Sequence, residues 1–293
     1  MAIVNPLSGT GADPRAAERR VATLYDRFAA AGVNGIVHLT ERPRHARELA
    51  SAAVSNGASI VLAWGGDGTI NEVGSAIAGT GVSLGLVPAG SGNGFAAELG
   101  VPRDPAAAID TALRGRDWLI DAGDINGRLF FNIAGVGFDA VVAEQFNMRT
   151  LGRRGMGPYI QIGLRETFRY RAIPYRIVLD GEAISSTALL VAFANGREYG
   201  NRIRLAPHAR MDDGKLEALV VADRSPFARL WSGRHLALGT ADKAPGIIAR
   251  SITSATIEAD GDLLYHLDGE VVRAHGTMTV RIRPGMLKVR VPG

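Results

Sequence analysis

Residues 63–77 read AWGGDGTINEVGSAI. The run from Ser59 to Trp64 has the length and apolar content of a buried strand, and Ile70, Val73 and Ile77 then recur at the three- and four-residue intervals of a helix face. The period changes inside Gly65-Gly66-Asp67-Gly68-Thr69. A strand that passes into a helix through glycine exposes backbone N–H groups at a helix start, which is what a polyphosphate needs. A carboxylate among those groups repels phosphate unless a cation lies between them, so Asp67 points to Mg²⁺; an Asp that caps only its own backbone is the plainer alternative.

The same unit recurs around this stretch. Ala2 to Asn5 precedes an amphipathic stripe of Ala17, Val21, Leu24 and Phe28; Gly35 to Leu39 precedes Ala46, Leu49, Ala50 and Ala53; Val82 to Val87 leads into Asn93 to Leu99; and Asp104-Pro105 opens a further helix. Strand–helix alternation predicts an α/β domain over residues 1–118 with a parallel sheet, Rossmann-like and three-layered. Beyond Trp118 the period becomes two. Met278, Val280 and Ile282 alternate with polar neighbours, and Leu287, Val289 and Val291 do so again after Pro284-Gly285, which reads as an antiparallel hairpin. With Tyr175–Leu179, Thr187–Ala194, Leu216–Ala222 and Ile252–Ala259 as further strands, residues 119–293 are predicted to form a mainly antiparallel β-sandwich, its last residues free to return to the first domain.

The chain has 293 residues, 46% hydrophobic and 21% charged, an ordinary globular composition with room for two cores. The absence of cysteine excludes disulfides, thiolate catalysis and cysteine-ligated zinc, and the six histidines show no zinc-type pairing; any metal should be a hard ion on oxygen ligands. No apolar stretch has the roughly 18 residues that span a bilayer, and no leader pattern opens the chain, so the expectation is a cytoplasmic protein. The net charge of +4 fits an anionic partner. Seven arginines lie between Arg149 and Arg176 against a single acid, Glu166. Within that segment Ile160, Leu164 and Phe168 have helical spacing, so it reads either as a basic amphipathic helix on an anionic membrane or as a packing helix with solvated arginines. Residues 224–247 form a second insert with no functional reading.

Ligands of an open α/β sheet bind at the carboxyl ends of its strands. Three glycine-rich loops fall there: Asn5 to Gly11 (NPLSGTG), Gly65 to Thr69, and Pro88 to Gly94 (PAGSGNG). None completes GxxxxGK[ST] or GxGxxG, so the P-loop and ordinary dinucleotide readings lose their main support. Any one loop could be a tight turn in which glycine supplies positive φ; three on one predicted edge favour a phosphate site.

GGDGT leading into INE, preceded by NPxSG and followed by PAGSGN, resembles the diacylglycerol kinase catalytic domain family, which includes bacterial lipid kinases and sphingosine kinases. The resemblance continues through Phe131 to Ala140 (FNIAGVGFDA), Pro207 to Gly214 (PHARMDDG) and Leu267 to Glu270 (LDGE). It implies an ATP-dependent lipid kinase of phospholipid metabolism that phosphorylates a hydroxyl of diacylglycerol, a sphingoid base or another long-chain alcohol at a cleft between its domains. It also implies peripheral association with a membrane surface and no nucleic-acid partner, and leaves a homodimer open. Soluble-substrate kinases of the NAD kinase type share only the GGDG portion and a distantly similar two-domain plan, and are the alternative enzyme reading; a catalytically silent nucleotide- or lipid-binding protein is the other.

The resemblance also implies roles. Gly65, Gly66, Asp67, Gly68, Thr69, Ile70 and Asn71 would bind ATP, together with Asn5, Ser8, Gly9, Thr40, Gly90, Ser91, Gly92 and Asn93. Asp67 and Asp121 would anchor the catalytic Mg²⁺, and Glu270 would take the proton of the lipid hydroxyl. A second, structural Mg²⁺ would sit on the loop with the Asp213 side chain and, mainly through carbonyls, Arg210 and Lys215. Two positions depart from the pattern. Thr10 stands where many members have a lysine or arginine, with Arg15 as an available substitute, and Gly94 stands where the bacterial pattern has aspartate.

Overall fold

The computed structural model describes residues 1–9, 14–148, 156–200, 203–229, 235, 240 and 244–293. Two compact units emerge, Met1–Ile120 with Gly285–Gly293, and Asp121–Pro284.

In the first unit strands and helices alternate: β1 (Ala2–Val4), α1 (Pro14–Ala31), β2 (Val37–Leu39), α2 (His45–Ser55), β3 (Ile60–Gly65), α3 (Asp67–Ile77), β4 (Ser83–Pro88), α4 (Gly94–Glu98) and α5 (Pro105–Arg114). β1 pairs in parallel with β2 and β3, and β3 with β4. β1, β4 and nearly all of β3 are buried, which is why they read as unbroken apolar runs rather than alternating ones. α3 buries Ile70, Val73 and Ile77, the stripe that defines it in the sequence. α5 opens as its sequence demands: the Asp104 side chain accepts from the Ala107 N–H, and proline occupies the first turn. α5 also lies close on β4, since a Cβ at Gly85 would stand 2.5 Å from the Ala112 methyl.

β5 (Arg116–Ile125) runs across the division, and the second unit continues with β6 (Arg128–Phe130), β7 (Ile133–Gly137), α6 (Phe138–Met148), α7 (Met156–Arg169), β8 (Ile173–Leu179), β9 (Glu182–Ala194), β10 (Glu198–Gly200), β11 (Ile203–Arg204), β12 (Leu216–Ala222), β13 (Ile247–Ile252), β14 (Ser254–Leu267) and β15 (Glu270–Val291). Its pairings are antiparallel: β13 with β12, β12 with β9, β9 with β7 and β8, and β14 with β7, β8 and β15. One core joins Phe130, Tyr175, Ile177, Val191, Phe193, Ile257, Tyr265 and Met278. Burial raises the Tyr175 and Tyr265 phenols above the ordinary tyrosine range, so both stay protonated.

Gly123 has a packing reason in this core. It pairs with Phe130, and a Cβ placed on it would stand 2.0 Å from the ring, which is fully buried and has nowhere to retreat. Gly123→Ala is therefore expected to destabilise the protein by about 1–3 kcal/mol. A urea midpoint within error of wild type would show that the ring relaxes without cost.

One expectation is corrected. Residues 277–291 do not form a hairpin turning at Pro284-Gly285: β15 runs through both residues as one strand. Up to Arg281 it pairs antiparallel with β14, whereas Lys288 and Val289 pair in parallel with Ser83 and Leu84 of β4. Alternation looks the same on either side of a turn or along one strand. A positive φ of 58° at Gly285 is accommodated as an irregularity rather than a reversal.

The arginine-rich segment is a helix over α7, with Arg149, Arg153 and Arg154 outside the described residues. Ile162, Glu166 and Thr167 turn inward, while Ile160, Leu164 and Phe168 are each more than half exposed. Arg229 caps its end, donating to the carbonyls of Thr167 (2.7 Å) and Tyr170 (3.1 Å) and pairing with Asp223 at 2.6 Å. No helix among the described residues is long and apolar enough to cross a membrane.

Candidate functional site

The three glycine loops of the first unit meet. Asn5 donates from Nδ2 to Thr69 Oγ1 at 2.9 Å, joining the first loop to the second. Asp67 Oδ2 accepts from the backbone N–H of Asn93 at 2.9 Å, joining the second to the third. A Cβ at Gly90 would lie 2.9 Å from Gly66 Cα, and one at Gly9 would lie 3.2 Å from the Ala89 carbonyl. Glycine is therefore required because backbones of different loops touch, not only because the chain turns. Gly65 has a further reason: the Thr69 side chain fills the place of its Cβ.

Asp67 stands in the first turn of α3, where the helix dipole favours its charge. Through the Asn93 bond it acts as a strut to the third loop. Asn93 ties that loop to itself: its Oδ1 accepts from Gly90 N–H and its Nδ2 donates to Gly90 O, both at 2.8 Å, with a left-handed φ of 51°. Ile70 and Asn71 are buried along α3, Gly68 is exposed in its first turn, Ser91 is exposed, Gly92 faces the Asp67 carboxylate, and Thr40 follows β2 with its N–H on the Val4 carbonyl. Gly94 begins α4, and Thr10 lies outside the described residues.

Sequence reasoning missed Arg20. It donates to the carbonyls of Asn5 (2.7 Å) and Ser8 (2.6 Å) and stacks over Trp64 at 5.6 Å. Burial draws this guanidinium below its ordinary value, yet it stays cationic. Arg20 is one of several arginines on α1, and no local pattern marks it; only the approach of β3 to α1 does.

In the second unit Asp121 is buried and joined to the Arg210–Lys215 loop. Its N–H donates to the Met211 carbonyl at 2.6 Å and its Oδ2 accepts from Gly214 N–H at 2.7 Å. Asn195, wholly buried, donates from Nδ2 to the carbonyls of Asp121 and Phe131, both at 2.9 Å. Asp213 is exposed and accepts from the Lys215 N–H at 3.1 Å, while the Arg210 side chain turns to Asp212 at 3.5 Å. Among the described residues no three His, Asp or Glu side chains cluster to hold a metal. The donors this loop offers are the carboxylates of Asp212 and Asp213 and main-chain carbonyls, all hard oxygen, which suits Mg²⁺ rather than a softer ion.

Glu270 follows the Asp268-Gly269 turn and forms an ion pair with Arg128 at 3.1 Å, both side chains partly exposed. Asp268, which the sequence reading left without a role, ties this turn to β7. Its carboxylate accepts from the N–H groups of Phe131 (2.8 Å), Asn132 (2.9 Å) and Ile133 (3.0 Å). Two motifs joined by a bond between residues 137 apart are thereby one structural unit.

Known proteins resemble this chain over nearly its whole length. The model of the diacylglycerol kinase catalytic domain matches residues 1–125, and that of the YegS C-terminal NAD kinase beta sandwich-like domain matches residues 132–291. The chain is 34% identical to a diacylglycerol kinase of Mycobacterium tuberculosis (strain CDC 1551 / Oshkosh), over 97% of its own length and 94% of the relative. It is 29% identical to a "Probable lipid kinase YegS-like" protein of Klebsiella pneumoniae (strain 342), over 98% and 94%. A crystal structure of a diacylglycerol kinase from Bacillus anthracis str. Sterne superposes with a TM-score of 0.73 at 20% identity, covering 99% of this chain and 95% of that one; this likeness speaks for the fold alone.

Proposed function

The chain belongs to the diacylglycerol kinase catalytic domain family, and from that membership we propose that it transfers the γ-phosphoryl group of ATP to the hydroxyl of diacylglycerol, with a sphingoid base or another long-chain alcohol as the competing acceptor. It is a lipid kinase, and its kinase chemistry takes ATP as co-substrate. The observation that carries the reading is the meeting of three glycine loops around the N-terminus of α3, where glycine keeps side chains off the backbone that a polyphosphate would approach. We read the first unit as the Rossmann-like, ATP-binding domain.

In this reading residues 65–71, with Asn5, Ser8, Gly9, Thr40 and the loop from Gly90 to Asn93, orient the phosphates. Asp67 and Asp121 are the residues we assign to a catalytic Mg²⁺, and Asp213 with the carbonyls of Arg210 and Lys215 to a structural one. Bound Mg²⁺ supplies neutralisation of the charge that spreads over the transferring phosphoryl oxygens. Glu270 accepts the hydroxyl proton as the acceptor oxygen attacks the γ-phosphorus and the bond to the β–γ bridging oxygen breaks, releasing ADP. Labelled ATP offered with a total lipid extract should yield one labelled lipid, identified by mass as a phosphorylated alcohol. Transfer to NAD instead would establish the soluble-substrate reading, and ATP binding without transfer the silent one.

The acceptor is a membrane lipid, and α7 supports peripheral docking. Ile160, Leu164 and Phe168 line its outer face, Phe227 meets Phe168 edge-on at a centroid distance of 6.5 Å and is 78% exposed, and Arg165, Arg169 and Arg171 stand exposed around them. Apolar side chains ringed by cations suit an anionic bilayer surface. Sedimentation with phosphatidylglycerol vesicles should weaken as salt rises, and Leu164→Glu with Phe168→Glu should reduce binding by at least about tenfold. Equal binding to neutral vesicles, or no effect of the double substitution, would rule this face out.

A further inference from the structure

We propose that Asp139 and His266 are positioning residues for Glu270: the buried pair fixes the histidine tautomer that holds Gly269, and thereby the turn that carries Glu270. The inference rests on Glu270 being the proton acceptor in lipid phosphorylation. It uses a buried acid and a buried histidine to which the functional reading gives no task.

Asp268 and Gly269 join β14 to β15 as a two-residue link, both with left-handed φ (49° and 90°), and Leu267 pairs with Glu270 across it. Such a link sets the register of a hairpin but leaves its tip free to rock. Here the tip is held through both backbone polar groups of one residue, Gly269. The Gly269 N–H points at His266 Nδ1 at 3.4 Å, and the Gly269 carbonyl accepts from Asn147 Nδ2 of α6 at 3.0 Å. His266 is 1% exposed, and its other nitrogen, Nε2, lies 3.2 Å from Asp139 Oδ2.

Those two contacts allow one neutral tautomer. With hydrogen on Nε2 the ring donates to the carboxylate and presents the Nδ1 lone pair to Gly269. With hydrogen on Nδ1 an N–H would face an N–H, and a lone pair would face a carboxylate. The fold makes room for this pair. Gly135 faces His266 in register, and a Cβ on Gly135 would lie 1.7 Å from Asp139 Oδ2, so the carboxylate occupies the volume of a side chain that is missing. Asp139 Oδ1 is held by the Ala140 N–H at 2.8 Å, which fixes which oxygen is turned to the histidine.

The test compares His266→Phe, His266→Asn, Asp139→Asn and Glu270→Gln. Phenylalanine keeps the bulk and removes both nitrogens, whereas asparagine can place an amide oxygen where Nδ1 stood. His266→Phe is expected to lower kcat by about 10–100-fold with KM for ATP within twofold, and to speed Gly269 amide hydrogen exchange by at least about tenfold. His266→Asn should restore most of both. Asp139→Asn, which removes the charge that selects the tautomer, should fold normally and fall between them, with ¹⁵N shifts of His266 reporting a mixed tautomer in place of the Nε2–H form of wild type. Unchanged kcat in His266→Phe alongside an inactive Glu270→Gln overturns this inference alone. A lost kcat that His266→Asn does not recover, with Gly269 exchange unmoved, also overturns it, since the histidine would then be acting only as core. Full activity in Glu270→Gln overturns the assignment of Glu270 itself, and this inference with it.

Discussion

Glu270→Gln is expected to lower kcat for lipid phosphorylation by about a thousandfold while leaving KM for ATP near its wild-type value. A positioned proton acceptor contributes roughly 10²–10⁴ in rate, and the glutamine amide cannot take a proton. Shape and fold should survive, because glutamine is isosteric and its carbonyl oxygen can still accept from Arg128, the group that holds Glu270 at 3.1 Å. The ion pair itself adds little stability, since both side chains are about two-fifths exposed and solvent screens them. A loss of kcat without a lower melting temperature would therefore be chemical. Steady-state transfer from labelled ATP to diacylglycerol in mixed micelles measures it, and a kcat within twofold of wild type would remove Glu270 from the chemistry.

Asp67→Asn should reduce kcat/KM for ATP by about 100-fold, an effect on the scale of removing one group that stabilises charge in the transition state. Two functions meet in this side chain. Its Oδ2 accepts from the Asn93 N–H at 2.9 Å, so it holds the third glycine loop against the second, and we assign its charge to Mg²⁺. Asparagine keeps an oxygen for the Asn93 N–H and removes the charge. Asp67→Ala removes both and should cost about 1 kcal/mol more in stability, the net worth of one hydrogen bond. If the charge matters, Asp67→Asn also requires more Mg²⁺ for half-maximal rate. Normal turnover of Asp67→Asn at wild-type Mg²⁺, with only Asp67→Ala impaired, would reduce Asp67 to a strut between loops.

Much of the molecule is visible in local pattern, and the misreadings arise where distant partners decide. The stripe Ile70, Val73, Ile77 and the Asp104-Pro105 start of α5 form as written because helix periodicity and capping are short-range properties. The hairpin expected at Pro284-Gly285 fails for the opposite reason. A period of two fixes which residues share a face but not whether the chain reverses, and the partner on offer to residues 288–289 is β4, two hundred residues earlier. Exposure of Ile160, Leu164 and Phe168 was likewise undecidable from spacing, since a buried stripe and an exposed one have the same period.

The sequence by itself determined the glycine loops, the acids set among them and the order of the motifs, because backbone reach at a strand–helix junction and the charge of a carboxylate are properties of the residues themselves. Tertiary structure alone decided what those acids touch. Asp67 bonds Asn93, Asp121 bonds Gly214, Asp268 spans the start of β7, and Asp139 reaches over Gly135 to His266. Each of these contacts joins residues far apart in the chain, and a hydrogen bond of about 3 Å exists only once folding has brought both partners to one place and excluded the water that would otherwise compete for them.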